Sequence, residues 1–109
     1  VVQDRASKQG TYHRPRAIVV TAEKLLAEQR QVIERAFECP VQEQYGSREF
    51  GMIAGQCERQ GGMHLHPLAA HVEFRPLEDG SGLRELLVTD LLGYGMPLIR
   101  YQINDCASG

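Results

Sequence analysis

The residue types of a nucleotide site occur in one short string of this sequence. Tyr45-Gly46-Ser47-Arg48-Glu49 follows a run that is typical of a strand, and open α/β sheets bind ligands at the carboxyl ends of their strands. A glycine there lets a ligand approach the backbone, a serine can bind a phosphate, and a tyrosine ring offers a face to a base. The glutamate could hold a divalent cation. A simple turn is the alternative, and the bare string favours it.

A second polar string lies near the end of the chain, at Arg100-Tyr101-Gln102-Ile103-Asn104-Asp105. An aspartate at the end of a strand can accept hydrogen bonds from the two vicinal hydroxyls of a ribose. The guanidinium of Arg100 offers a planar fork for a phosphate or carboxylate. Taken alone, this string is better interpreted as a turn aspartate and a surface arginine.

A possible zinc site is suggested by Cys57, His64 and His66, because thiolate and imidazole are ligands that zinc prefers. A closed site needs four ligands, so His71 or Cys106 would have to complete it. No close pair of cysteines anchors the set. A buried thiol with partly exposed strand histidines is therefore the favoured interpretation, and a zinc site is the alternative.

Length, composition and charge exclude several classes of protein. The chain has 109 residues, 42% of them hydrophobic and 24% charged, which is typical of one globular domain rather than a disordered or collagen-like chain. A net charge of −2 argues against a nucleic-acid partner. No apolar run is long enough to span a membrane, and the start of the chain does not resemble a signal peptide. The sequence therefore predicts a cytoplasmic protein without a membrane partner.

Hydrophobic periodicity predicts a strand, a helix and a second strand in the first half of the chain. Ala17–Val20 is a β-branched run typical of a strand covered on both faces, and Thr21 could cap the helix that follows. Apolar residues at helical spacing predict an amphipathic helix over 22–38. Pro40 ends it, and positions 41–45 alternate as a strand. A right-handed crossover would make the two strands parallel.

The second half of the chain predicts antiparallel strands. His71–Arg75 and Leu83–Leu92 flank a turn cluster at 78–82, which is the pattern of a hairpin, and Leu98–Ile103 predicts a last strand. The cysteines are three in number and widely spaced, which predicts free thiols or one metal ligand rather than a disulfide framework.

These patterns together predict an α/β fold in three parts. They are a basic arm or linker at 1–16, a βαβ segment at 17–51, and an antiparallel β-rich part at 52–109. Two parallel strands are seldom left alone in a sheet, and the chain begins at Val1 rather than at Met, so we expect a fragment of a larger domain whose mainly parallel sheet continues outside this sequence. The alternative is a self-contained α+β domain that buries its own strands.

Five short strings occur in a fixed order over positions 16–105. They are Thr21-Ala22-Glu23, Tyr45-Gly46-Ser47-Arg48-Glu49-Phe50-Gly51, Gly62-Met63-His64-Leu65, Glu85-Leu86-Leu87-Val88-Thr89 and Met96-Pro97-Leu98-Ile99-Arg100-Tyr101. Together they resemble the successive motifs of the phenylacetate-CoA ligase branch of the adenylate-forming acyl-CoA synthetase superfamily. The resemblance implies that the chain is a βαβ segment of a larger adenylating domain, followed by a small antiparallel β subdomain. The subgroup associated with capsular-polysaccharide biosynthesis is the most similar, since an arginine also follows Tyr-Gly-Ser there.

The resemblance implies an enzyme that uses ATP and Mg²⁺ to convert a small carboxylic acid, an aryl acid among the candidates, into an acyl-adenylate. The acyl group then passes to coenzyme A or to another acceptor, such as a carrier protein or a sugar. The implied nucleotide-binding residues are Ala22 and Glu23 near the adenine, Tyr45 and Gly46 beside it, Ser47 and Arg48 on the phosphate side, and Asp105 on the ribose hydroxyls. Glu49 is the implied Mg²⁺ ligand.

The chain departs from the family pattern in ways that limit the resemblance. Gln102 and Asn104 replace the usual arginine and glycine before Asp105, so we expect the turn that presents this carboxylate to differ from that of the family. The family's phosphate loop and its catalytic lysine lie outside this sequence, so we expect the chain to be inactive alone and to work with the remainder of its parent enzyme. Some members have a cysteine and a histidine at Cys57 and His64, which implies zinc ligands there. The alternative function is a non-catalytic remnant or a zinc-containing binding module.

Overall fold

Seven strands and one helix make up the computed structural model, which describes residues 14–108. In chain order they are β1 (Ile18–Val20), α1 (Ala27–Phe37), β2 (Val41–Ser47), β3 (Gly51–Gln56), β4 (Met63–Leu65), β5 (Ala70–Pro76), β6 (Arg84–Asp90) and β7 (Tyr101–Ala107). The arm predicted at 1–16 lies outside the described residues, except for its last three positions.

The strands form two sheets. The first has the order β1-β2-β3-β4; β1 pairs with β2 in parallel, with Ile18 opposite Val41, and the other pairs are antiparallel. The second has the order β5-β6-β7 and is antiparallel throughout, with Val72 opposite Val88. Antiparallel pairing between neighbours in the chain therefore dominates the described residues.

The α/β class predicted from the sequence is wrong. Strands take up 42% of the described residues and the helix 12%, so the protein is a small, mostly β structure with two sheets rather than a βαβ segment. The parallel strand β1 has three residues, and Val19 in its middle is 51% exposed, not covered on both faces. The prediction gave no bounds for β3 or β4, although it placed His64 on a strand, because the glycines between 51 and 62 hide the period-two pattern of a strand.

The helix is shorter than predicted and begins at Ala27 rather than at position 22. Two amides that would lie in its first turns are bound elsewhere. The Leu25 N–H donates to Glu43 Oε1 at 3.0 Å, and the Leu26 N–H donates to Gln29 Oε1 at 3.0 Å. The first bond holds the preceding segment as a loop against β2, and the second caps the helix at its first residues. No helix within residues 14–108 has the length and apolar character needed to cross a membrane.

The last strand begins three residues later than predicted and runs on to Ala107. Residues 98–100, predicted as the start of this strand, contact β6 through two isolated hydrogen bonds instead. The Asp90 N–H donates to the Leu98 carbonyl at 2.8 Å, and the Arg100 N–H donates to Thr89 Oγ1 at 3.0 Å. Arg100 has φ 50, outside the range of a strand, so regular pairing starts only after it.

A buried cluster joins the two sheets. Ile53 of β3 packs with Ala70 of β5 and Val88 of β6, and the partly buried hydrophobic residues around them include Tyr45 from the first sheet and Ile103 from the second. All three central residues are at most 3% exposed. This cluster therefore fixes the position of the first sheet relative to the second.

Candidate functional site

An open cleft of about 810 Å³ is lined by both sheets. The first sheet contributes positions 43–46 of β2 together with parts of β3 and β4, and the second sheet contributes β5, β6 and positions 105–108 around the end of β7. The loop that precedes α1 adds positions 22–24. Small-molecule sites commonly have volumes of about 300–1,000 Å³, so the cleft has room for a nucleotide-sized ligand.

Five of the seven residues predicted to bind a nucleotide line this one cleft. They come from three separate stretches of the chain and are Ala22, Glu23, Tyr45, Gly46 and Asp105. The structure does not place the other two in the lining: Ser47 is the last residue of β2, and Arg48 lies in the turn that follows, as does Glu49.

A hydrogen bond across the cleft joins two of the predicted residues. The Tyr45 hydroxyl donates to Asp105 Oδ2 at 2.6 Å, although the two residues are 60 positions apart in the chain. Burial raises the pKa of the Tyr45 phenol well above its usual value, and the hydrogen bond to the negative Asp105 raises it further. The phenol is therefore protonated, and able to donate, at neutral pH.

Asp105 lies inside β7 and not at a strand end as predicted, and a bulge presents it. Glu85 pairs with Cys106 and Leu87 pairs with Gln102, so three residues of β7 lie opposite one residue of β6. Asn104, at the centre of the bulge, has φ 65. This left-handed region favours glycine, and asparagine is among the few other residues that adopt it readily. Asn104 can therefore adopt this backbone conformation without a glycine at the position.

A second irregularity lies at Gly46, where the register between β2 and β3 shifts after Tyr45. A Cβ added at Gly46 would lie 2.1 Å from the carbonyl oxygen of Gly51, far inside van der Waals contact. The sequence suggested that this glycine lets a ligand approach the backbone. In the structure it lets the neighbouring strand approach, and it lines the cleft as well.

The loop that contributes Ala22 and Glu23 is anchored by an ion pair. Glu43 of β2 accepts from the Leu25 N–H at 3.0 Å and from Arg30 Nη2 at 3.0 Å, and the Arg30 and Glu43 side chains are each 16% exposed. A pair this well covered is costly to break, because removal of one charge leaves the other desolvated. The loop is thereby fixed to β2 at the wall of the cleft.

Gln56 completes this network. Its Oε1 accepts from Arg30 Nη2 at 2.9 Å and from the Glu43 N–H at 3.0 Å, so α1, β2 and β3 share one set of polar contacts. This polar network was not predicted from the sequence. The available signal was the position of Arg30 between Leu26 and Ile33, on the apolar stripe of the predicted helix, where a charge needs a partner.

The turn after β2 holds the predicted Mg²⁺ ligand. The Phe50 N–H donates to Ser47 Oγ at 3.3 Å, which closes the turn. Glu49 is fully exposed; its own amide, the Ser47 hydroxyl and the charge of Arg48 lower the pKa of its carboxyl. The carboxylate is therefore ionised and accessible at neutral pH, as a ligand of a hard cation must be.

The thiols and histidines considered for zinc lie apart from the cleft, with one exception. Cys57 follows β3, and His64 lies on β4 opposite Gly55. Among residues 14–108, no three side chains of His, Cys, Asp or Glu come together as a metal site. All three cysteines are free thiols; Cys106, the exception, is exposed and lines the cleft. A zinc site at Cys57 and His64 stays a prediction.

Comparison with known proteins finds a similar bacterial protein. No family model matches the chain. The chain is similar to Protein CapK of Staphylococcus aureus, with 33% identity over 91 residues that cover 84% of this chain. The same residues cover 20% of CapK, so the chain spans about a fifth of the length of that relative.

Proposed function

We propose that this chain supplies the adenine, ribose and Mg²⁺ face of the nucleotide site in an ATP-dependent acyl-adenylate-forming ligase. In that reaction a carboxylate attacks the α-phosphorus of ATP, pyrophosphate leaves, and the acyl group of the resulting acyl-AMP passes to coenzyme A or another acceptor. The observation that carries the proposal is that Ala22, Tyr45 and Asp105, from three distant strings, line one cleft.

The lining of the cleft suits a nucleoside. The Tyr45 ring and apolar side chains such as Val72 and Leu86 offer a surface on which a base can be buried. The Asp105 carboxylate is an acceptor with lone pairs for the hydroxyls of a ribose. Glu23 and the backbone around Gly46 add polar groups at the same wall. This combination of a mainly apolar wall with a few polar groups is typical of cofactor sites.

The phosphates would extend toward the turn after β2, beyond the lining of the cleft. Glu49 is an ionised, exposed carboxylate there, which fits Mg²⁺, and the cation would offset the negative charge that develops on the α-phosphate. The Arg48 guanidinium could donate to a phosphate oxygen in place of the threonine hydroxyl that most related enzymes have. These two side chains bind and orient; the acid pocket and the remaining catalytic groups belong to the rest of the proposed parent enzyme.

The proposal implies a location and a set of partners for the protein. ATP and coenzyme A are cytoplasmic, so we place the ligase in the cytoplasm, with a small carboxylic acid and its own remaining domains as partners and with neither nucleic acid nor membrane among them. The chain spans about a fifth of CapK, which leaves room in a protein of that length for the acid pocket and for a mobile domain.

Binding of AMP to the 109-residue chain, followed by two-dimensional ¹H–¹⁵N NMR, tests the proposal. We expect saturable shifts at the amides of Glu23, Tyr45 and Asp105, because these residues line the cleft. Asp105→Asn should weaken binding, whereas Asp79→Asn, in the exposed β5–β6 turn, should leave it unchanged. Saturable shifts confined to other surfaces, or no shifts at millimolar AMP, would contradict the assignment of the cleft.

A further inference from the structure

The contact between Tyr45 and Asp105 carries an inference beyond the assignment of the cleft. We propose that the Tyr45 hydroxyl is a positioning group that fixes the Asp105 carboxylate and so makes the cleft selective for a ligand with two adjacent hydroxyls over its deoxy analogues. The identity of that ligand as a ribonucleotide rests on the proposed function; the orienting role of the hydroxyl rests on the geometry of the pair.

The need for an orienting group follows from the exposure of Asp105. Its side chain lies on the surface of β7, where an unheld carboxylate rotates freely, because the last torsion of aspartate is broad. The 2.6 Å bond from the Tyr45 hydroxyl holds Oδ2. A ligand then meets a carboxylate that is already oriented and has less conformational entropy to lose on binding.

Tyr45 can orient Asp105 only because its own ring is held in place. The ring packs against the buried cluster of Ile53, Ala70 and Val88. Burial first, and Asp105 second, raise the pKa of the Tyr45 phenol, whose hydroxyl is a donor at neutral pH even at the usual value of 10.0. A rigid ring and a permanent donor make this contact more than a chance surface hydrogen bond.

The carboxylate has acceptor sites left for a pair of hydroxyls. Each carboxylate oxygen has about two lone-pair sites. Asp105 has no other hydrogen-bond partner within the described part of the chain, so Oδ1 is open and Oδ2 keeps one site beside the Tyr45 hydroxyl. Two adjacent ribose hydroxyls can use both oxygens, whereas a deoxyribose uses one. The benefit of orienting the carboxylate is therefore greatest for the ribose.

Tyr45→Phe tests the inference because it keeps the ring and removes only the hydroxyl. Calorimetry would measure the dissociation constants of AMP and 2′-deoxy-AMP for the wild-type chain and for Tyr45→Phe. We expect the wild type to prefer AMP about tenfold, as one charge-assisted hydrogen bond allows. In Tyr45→Phe the AMP affinity should fall about five- to tenfold and the deoxy affinity less than twofold. Tyr94→Phe, at a tyrosine that is 88% exposed and outside the cleft, should change neither.

Equal losses for AMP and 2′-deoxy-AMP in Tyr45→Phe would overturn the inference, because a merely structural role of the hydroxyl predicts that result. If the wild-type chain binds no AMP, the proposed function fails, and the selectivity fails with it. The orienting bond is then judged without ligand, by the ¹³C NMR signal of the Tyr45 Cζ atom at neutral pH. Asp105→Asn should shift this signal, because the hydroxyl loses its charged acceptor, and an unchanged signal would show that the bond is absent. The same measurement decides the matter if Tyr45→Phe does not fold.

Discussion

Replacement of Gly46 by alanine tests whether the bulge in β2 depends on the absence of a side chain. The added Cβ would lie 2.1 Å from the Gly51 carbonyl oxygen, 2.9 Å from its carbonyl carbon and 3.1 Å from Met52 Cα. All three atoms belong to the backbone, so no side-chain rotation can relieve the contact. The strands would have to separate by more than about 1 Å, a displacement that breaks ordinary N–H···O hydrogen bonds.

The expected cost follows from what this separation disrupts. Forcing extra atoms into a packed contact costs about 1–3 kcal/mol. Beyond the bulge, Gly46 pairs with Met52 and Ser47 pairs with Gly51, and each lost backbone hydrogen bond costs a further ~0.5–1.5 kcal/mol. We therefore expect Gly46→Ala to lower the free energy of unfolding by about 2–4 kcal/mol and the Tm by roughly 10–25 °C in a domain of this size.

Urea denaturation of the 109-residue chain, followed by circular dichroism, measures this effect. Gly55→Ala is the matched control in the adjacent strand, since a Cβ there would meet nothing closer than 3.8 Å; its stability should change by less than about 1 kcal/mol. If Gly46→Ala and Gly55→Ala have the same denaturation midpoint, the close approach of β2 and β3 does not explain this glycine.

Three further substitutions test the bulge in β7, the predicted metal ligand and a turn. Asn104→Gly should leave the free energy of unfolding unchanged in urea denaturation. Asn104→Val should lower it by about 1–2 kcal/mol, because a β-branched residue resists a left-handed backbone. Equal stabilities of the two variants would contradict the role of the positive φ at this position. Glu49→Gln should lower the rate of ATP–pyrophosphate exchange by the proposed parent ligase by orders of magnitude and leave its Tm unchanged. Glu58→Gln should leave both unchanged. A normal exchange rate in Glu49→Gln would show that Glu49 is not part of the site. The Ser81 hydroxyl and amide lower the pKa of Asp79 below its usual 3.8, so the ionised form stabilises the turn. Asp79→Asn should therefore lower the Tm at pH 7. The deficit should shrink as the pH falls from 3.8 through the lowered pKa of the folded state, and a deficit that persists in stronger acid would exclude this electrostatic origin.

Local patterns predicted those parts of the structure that depend on neighbours in the chain. The hairpin around 78–82 forms because Asp79 and Ser81 bond within the turn, two positions apart. The body of the helix follows from its apolar spacing. The predicted first turn of the helix does not form, because it depends on a distant residue: the Leu25 N–H donates to Glu43, 18 positions away.

The fold class could not be predicted in this way, because it depends on which strands pair. β3 and β4 lie in a stretch where glycine hides the alternation of a strand, and their antiparallel pairing gives the first sheet its character. The helix, by contrast, has a strong pattern but contributes 11 residues. The predicted fold class therefore depended too much on the helical pattern, which is clear in the sequence but describes one short element.

The residues of the candidate site were named from the sequence, but the backbone that presents them was not. Each stretch that contributes predicted residues to the cleft carries an irregularity at or beside them: Ala22 has φ 80, β2 changes register after Tyr45, and Asn104 has φ 65 next to Asp105. A regular strand sends neighbouring side chains to opposite faces, whereas a bulge changes the direction in which a side chain points.

Such irregularities cost free energy and persist where the surrounding structure holds them in place. Here the surrounding contacts are the close approach of Gly46 to Gly51, the Glu43 anchor of the loop before α1, and the bond from Tyr45 to Asp105. One of these irregularities also serves the packing of the fold, since Gly46 lets β3 approach and the neighbouring Tyr45 packs against the buried cluster. All three lie at one cleft. In the proposed nucleotide site they would present an aromatic ring and a carboxylate to the same ligand, which is why the tests of Gly46 and Asn104 bear on the site as well as on stability.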